Sequence, residues 1–353
     1  MDLTSDPIPK LVRRIGIPAS IGYFFNTMYN VVDTYFAGYI STDALAALSI
    51  SFPVFFILIA IGSGISQGGT ALIANALGEK DKEKARHTCF QCISFGILLS
   101  IVLAITGYYA TPSLFGILGA TGEYLDIALD YMNVILCGTV FLVLQSIINA
   151  CLNAQGDTKS YRNVLIMGFI LNCILDPWFL YGGLGVPPMG IKGIALATVL
   201  IQFLGMLYLL HRFSKTELWK KPTPSAFKPT STYRDIAKQG LPASFNMVTV
   251  AIGIFVITWF ISLFSDESVA AYGIATRIEQ IVLLPTIGLN IAVLSMTGQN
   301  NGAGHIGRVR ETLSVSMRYG LWMMVVGGII LYPMAEPMMK AFTQDPLVVS
   351  HGV

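Results

Sequence analysis

Apolar stretches of about 20 residues recur along the whole sequence, each long enough to cross the hydrocarbon core of a bilayer as a helix. Only 12% of the 353 residues are charged. Soluble domains carry about 25%, and a soluble chain of this size could not cover its surface with so few. In hydrocarbon a chain must satisfy its own backbone, so these runs predict helices rather than loops or open strands. The expected fold class is an all-α polytopic membrane protein. Nine spans are expected, over roughly residues 15–39, 45–77, 88–111, 124–154, 163–181, 191–212, 241–264, 269–298 and 312–333. The second and eighth are long enough to tilt or to project from the bilayer.

Lys and Arg fall on alternate sides of these spans. Of the 22, 18 lie on the side of the N-terminus: Lys10, Arg13 and Arg14, Lys80 to Arg86, Lys159 and Arg162, Arg212 to Lys238, Arg308 and Arg310. The opposite loops carry Lys192 and Lys340. The positive-inside rule therefore predicts a cytoplasmic N-terminus; the expected location is the inner (plasma) membrane. Residues 1–14 show no apolar core followed by a cleavage site, so no signal peptide is expected.

An internal repeat divides the chain. Gly16–Ser20 (GIPAS) returns as Gly240–Ser244 (GLPAS), and the same offset of 224 places Gly64 on Gly288, Gly78 on Gly302 and Arg86 on Arg310. Each full copy spans six helices, an even number, so both copies enter the membrane in the same direction. They are expected as two six-helix lobes related by a pseudo-two-fold axis along the membrane normal. The expected partition is 1–213 for the first lobe with helices 1–6, 214–240 for a cytoplasmic linker, and 241–353 for helices 7–9. Three further helices would complete the second copy, so the sequence reads as C-terminally incomplete, with about nine of twelve spans.

Inside the spans a few polar residues stand out, because hydrocarbon penalises them. A carboxylate at the depth of Asp33 costs on the order of 3 kcal/mol by insertion scales. Asn26, Tyr29 and Asn30 precede it on one helical face. Asn172 and Asp176 are one turn apart near the outer end of the fifth span, and Pro177 frees a backbone carbonyl there. Thr198 lies about 10 Å into the sixth span from the same side. Two carboxylates, an amide and a hydroxyl form a hard-oxygen set suited to Na⁺ or to a shared proton. Asp33, Asp176, Asn172 and Thr198 are thus the candidate coupling site, with Tyr29 and Asn26 in support. The plainer reading makes each acid a structurally paired group near the interface. Tyr131 and Asn149 in the fourth span either extend the network into a deep cavity or bond helix to helix. Arg277 and Glu279 are two residues apart and do not face each other on a helix, which suits a lobe-interface or structural role. The repeat maps Asp33 onto Ile257, so a symmetric scaffold does not need the acid.

Other features exclude catalytic classes. Cys89-Phe-Gln-Cys92 has CxxC spacing but no second pair and no histidine at ligand spacing, so helix packing is the better reading. Gly62–Gly69 lacks the Gly-Lys-Ser/Thr of a phosphate loop; small-residue packing accounts for it. None of His87, His211, His305 and His351 pairs with a Ser or Cys as a nucleophile's base. No ATP motif is present, so uphill transport must draw on an ion gradient. An enzyme and a nucleic-acid partner are not expected; a monomer in the bilayer is.

Several motifs together resemble the multidrug and toxic compound extrusion (MATE) transporters. They are Gly16–Ser20 followed by Val32-Asp33-Thr-Tyr-Phe-Ala-Gly38, then Asn149 with Gln155-Gly-Asp-Thr158. Ala44–Ser49, Leu171-Asn172 with Leu175-Asp176-Pro177, Ala270–Glu279 and the repeat complete the set. The resemblance covers the whole chain. It implies two six-helix lobes and alternating-access export of amphipathic, often cationic compounds in exchange for H⁺ or Na⁺. It matches Asp33 to the family's first-helix coupling acid. Tyr29, Tyr131, Asn149, Asn172, Asp176 and Thr198 match the first-lobe network of the DNA-damage-inducible branch. The seventh-helix acid of the Na⁺-coupled branch is absent, since Leu241 to Phe264 holds no Asp or Glu. Two other readings stay open: a lipid-linked oligosaccharide flippase of the same superfamily, and a truncated membrane fragment without transport.

Overall fold

The computed structural model describes residues 1–40, 42–118, 120–183, 185–219, 224–343 and 346–353. Among them the chain is helical: α1 (Ile8–Ile40), α2 (Thr42–Gly78), α3 (Lys82–Ile117), α4 (Gly122–Asn153), α5 (Lys159–Tyr181) and α6 (Ile191–Ser214) lead to a 3₁₀ turn (Pro224–Phe227). After it come α7 (Ser231–Ser262), α8 (Asp266–Gly302), α9 (Ile306–Phe342) and the short α10 (Pro346–Gly352). Local chemistry starts several of these. Asp81 accepts from Lys84 N at 2.9 Å and caps α3, and Ser265 accepts from Ser268 N at 3.1 Å and caps α8. Each capping oxygen satisfies an amide that the first helical turn leaves unpaired.

Among the described residues eight helices, α2 to α9, are long and apolar enough to cross a membrane. The first helix is not one of them, because Asn26, Thr27, Asn30 and Asp33 dilute its hydropathy. It is nevertheless 33 residues long and is held on both sides, against α5 and against α8. It also starts earlier than its apolar run. Leu3, Ile8, Leu11, Val12 and Ile15 are buried against Leu289, Ala292 and Met296 of α8, so burial extends the helix back through the basic cluster.

Helices α1 to α6 form one bundle with two interior clusters. One joins Ile73, Cys89, Cys92, Ile147 and Cys151 toward the basic end. The other joins Leu58, Phe115, Met132, Ile135 and Ile194 toward the opposite end. The connection after α6 is not a free linker. Phe90 of α3 packs its ring against Phe213, Trp219 and Phe227. Buried Gln91 donates to the carbonyls of Ala226 at 2.6 Å and Lys228 at 2.8 Å and accepts from Thr230. Residues 220–223 of the expected linker lie outside the described residues, and its last ten residues are the first turns of α7.

The two repeat copies meet symmetrically. Ser20 Oγ of α1 donates to the carbonyl of Pro285 in α8 at 3.3 Å, and Ser244 Oγ of α7 donates to that of Ile61 in α2 at 3.5 Å. Both partners are displaced by the repeat offset. Gly64 lies so close to α7 that a β-carbon would strike Ser244 and the Gly240 carbonyl; Gly288 would strike Ser20 and the Gly16 carbonyl in the same way. Nearer the basic end, Gly78 abuts the Gln299 carbonyl and Gly302 abuts the Asn75 carbonyl. The GIPAS motif and its repeat are therefore the seam along which α1 and α2 cross α8 and α7. Away from the seam, α7 and α9 expose Phe245, Val250, Trp259, Met317, Trp322 and Ile329, a surface for hydrocarbon rather than water.

Gly64→Val tests the seam. Its side chain meets backbone that cannot give way, so we expect a loss of about 1–3 kcal/mol, the usual overpacking range. Gly116→Ala, where nothing lies within 4 Å, should melt like the parent protein. Thermal unfolding in detergent compares the two.

Candidate functional site

Four helices of the first bundle converge on Asp33. It lies 19 residues beyond Arg14, about 28 Å along α1, near the end opposite the basic cluster. Asp33 is 7% exposed, Thr198 3%, and Asn172 and Asp176 are fully buried. Asn172 Nδ2 donates to Asp33 Oδ1 at 2.7 Å, joining α5 to α1 across the bundle. Tyr29, one turn before Asp33, donates from its hydroxyl to Thr198 Oγ1 of α6 at 2.9 Å. Asp176 lies within direct electrostatic reach of Asp33, and buried Tyr131 of α4 lies within reach of both acids. The structure brings together Asp33, Asp176, Asn172, Thr198, Tyr29 and Tyr131.

Three oxygens of this cluster are buried without a hydrogen-bond donor: both carboxylate oxygens of Asp176 and Oδ1 of Asn172. Pro177 has no N–H, so the Cys173 carbonyl one turn back gains no helical donor from it. Lys192 at the start of α6 does not neutralise the acids; its ammonium pairs with Asp130 at 3.0 Å. Among the described residues no ion pair includes Asp33 or Asp176. Two carboxylates side by side in an apolar bundle repel each other and lack a positive partner. Oxygen donors of this kind match a hard monovalent cation or a proton. No cluster of three His, Cys, Asp or Glu residues able to hold a metal occurs among the described residues. A Na⁺ ion here would rest on two acids plus neutral oxygens.

The remaining expected residues lie elsewhere. Asn26 is half-buried on the Asp33 face of α1, two turns toward the basic end. Asn149 is 18 residues from Tyr131 on α4, about 27 Å along the axis, and is not part of the acid cluster. It is 6% exposed with an unpartnered Oδ1. Arg277 and Glu279 are exposed on α8, and among the described residues neither forms an ion pair or hydrogen bond. The contacts of α8 with α1 and α2 run instead through Pro285, Gly288, Leu289, Gly298 and Gly302. Sequence reasoning missed Gln145 and Asn153, which flank Asn149 at intervals of four and share its burial and its unpartnered carbonyl. That spacing was the available signal.

Asn172→Leu removes the amide that donates to Asp33 and should destabilise the protein by about 1–3 kcal/mol, the range for a buried group that loses its partner. Thr198→Val removes a neutral hydrogen bond and should cost about 1 kcal/mol. Thermal unfolding in detergent should rank the two in that order.

Comparison with known proteins places these residues in a family context. The MatE family model matches residues 18–178 and 242–352. A probable multidrug resistance protein, NorM, of Thermotoga maritima is 24% identical, covering 98% of this chain and 75% of its own length. A FAD transporter of Shewanella oneidensis is 27% identical, covering 98% and 77%. Among solved structures, one described as the outward-facing conformation of a multidrug resistance MATE family transporter superposes with a TM-score of 0.90. It is 28% identical, over 99% of this chain and 77% of that one.

Proposed function

The chain belongs to the MatE family of membrane transporters, and on that premise we propose that it is a secondary active exporter of amphipathic or cationic small molecules driven by inward H⁺ or Na⁺. One observation carries this reading: the buried pair Asp33 and Asp176, with three donor-less oxygens and no cationic side chain among them. A proton or Na⁺ neutralises that pair. An ion moves the equilibrium between two conformations only by binding one of them better. Here the differential is the charge repulsion it relieves, together with the repacking of α1 against α5 and α6 that follows. A membrane potential of 100 mV adds about 2.3 kcal/mol per inward charge. Asp33 and Asp176 hold the ion, Asn172 orients Asp33, and Thr198 with Tyr29 supplies neutral oxygens.

The rest of the reading concerns placement. The basic end faces the cytoplasm of an inner membrane, and the two repeat copies form lobes, the second beginning with α7 at Ser231. The seam at Gly64, Gly240, Gly16 and Gly288 joins the two copies in the half that carries the basic residues, which suits an outward-open state. Similarity to a relative described in an outward-facing conformation supports that assignment. The protein works as a monomer.

Efflux of a cationic dye from cells carrying Asp33→Asn or Asp176→Asn tests the coupling role. At least a tenfold drop in rate is expected for each at unchanged protein level. Wild-type efflux in both would end this assignment. In proteoliposomes, a pH gradient or a Na⁺ gradient imposed alone identifies the driving ion. Flavin adenine dinucleotide belongs in the substrate panel because a relative is a FAD transporter.

A further inference from the structure

Gln145, Asn149 and Asn153 lie on α4 at intervals of four. They are 5%, 6% and 7% exposed, and each has a side-chain carbonyl oxygen without a donor. Four residues advance a helix by 400°, so the three share one face. Tyr131, 14 residues before Gln145, returns to that face. The side of α4 that meets the two acids therefore continues as a row of orphaned acceptors to the opposite end. From Tyr131 to Asn153 is 22 residues, about 33 Å, the thickness of a hydrocarbon core.

Neighbouring helices add to the row. Tyr161 of α5 lies near Gln145 and meets the ring of Tyr23 on α1, centroids 6.3 Å apart. Asn26, half-buried, stands about 10 Å below Asp33 on the acid-bearing face of α1. Opposite Gln145, α6 presents Gly205, which has no donor to offer the carbonyl beside it. A single orphaned buried amide costs about 1–3 kcal/mol. Three in register, in a bundle that places hydroxyls and amides beside them, point to bridging water.

We propose that this row is a hydrated polar file linking the Asp33–Asp176 pair to the cytoplasmic end of the first bundle, and that it is the route by which the coupling cation leaves. The assignment rests on the coupling role proposed above. Between Tyr131 and Gln145 the same face is dry: Gly138 packs onto Val199, and Leu142 follows. That dry stretch is the barrier that prevents the file from leaking ions, and release requires it to part.

The experiment has two arms. In a protein with Cys89, Cys92, Cys137, Cys151 and Cys173 replaced by serine or alanine, Asn149→Cys and Ile148→Cys are each exposed to a small thiosulfonate from the cytoplasmic face of inverted vesicles. Residue 148 is equally buried but lies on another face. Cysteine at 149 should react at least tenfold faster; equal, slow reaction at both would overturn the hydrated file. In the second arm, Asn149→Leu should lower ion-coupled efflux about tenfold, and Asn149→Ser, which still holds water, should restore most of it. Full efflux in the leucine variant would overturn the route. Loss in both variants together with an unreactive 149 cysteine would mark a merely structural amide and overturn it too. If Asp33→Asn transports normally while the 149 cysteine reacts fast, the coupling reading fails by itself: the file stands as a water path and its role as the ion's exit is overturned.

Discussion

Two helices reach backbone contact where at least one of them lacks a side chain, and this architecture hangs on a few such places. Gly64 against Gly240, Gly288 against Gly16, and the approaches of Gly78 to Gln299 and Gly302 to Asn75 draw the two repeat copies together. In hydrocarbon there is no hydrophobic drive to press helices against each other, so close packing and carbonyl contacts must do it. All these contacts lie in the half of the molecule that carries the basic residues. The first helix is thereby pinned at one end. Asp33, 17 residues past Gly16 and so about 25 Å away, sits near the end that the seam leaves unclamped.

The scaffold is symmetric and its chemistry is not. The seam obeys the repeat nearly residue for residue, down to Ser20 on Pro285 and Ser244 on Ile61. At the position of Asp33 the second copy has Ile257, exposed on α7. A buried acid that architecture does not need is an energetic burden retained for another purpose. Its neighbours share that burden. Asn172 donates to Asp33, while Asp176 keeps two buried oxygens without donors, an arrangement a positive charge would complete.

Much of this was legible from residues alone. Charge depletion and apolar runs placed the spans, and the offset between GIPAS and GLPAS marked the repeat, though not that its two copies would touch along these motifs. Asp33, Asn172, Asp176 and Thr198 declared themselves because polar groups in long apolar runs are costly. Other parts were not legible. The early start of α1 depends on Ile8 and Leu11 finding α8, a contact nearly 300 residues distant in sequence. The segment reads from sequence as a cytoplasmic linker, yet Gln91 and Phe90 of α3 bind part of it down. Asn149 stood open between a deep cavity and a helix-to-helix bond, and only the packed bundle shows its side chain buried with an unpartnered Oδ1. Gln145 and Asn153 passed unremarked because an amide in a helix is ordinary until its lack of a partner is seen.

The sequence by itself determined that this chain is a multi-pass helical membrane protein built on a repeat, and which polar residues hydrocarbon would penalise. These follow from composition and periodicity, which are local properties. Tertiary structure alone decided which penalised residues meet, which oxygens go without a donor, and which glycines touch backbone. Those depend on how α1, α4, α5 and α6 are rotated about their own axes. That rotation is set by packing between residues more than 100 positions apart, as Asn172 and Asp33 are, and no local pattern encodes it.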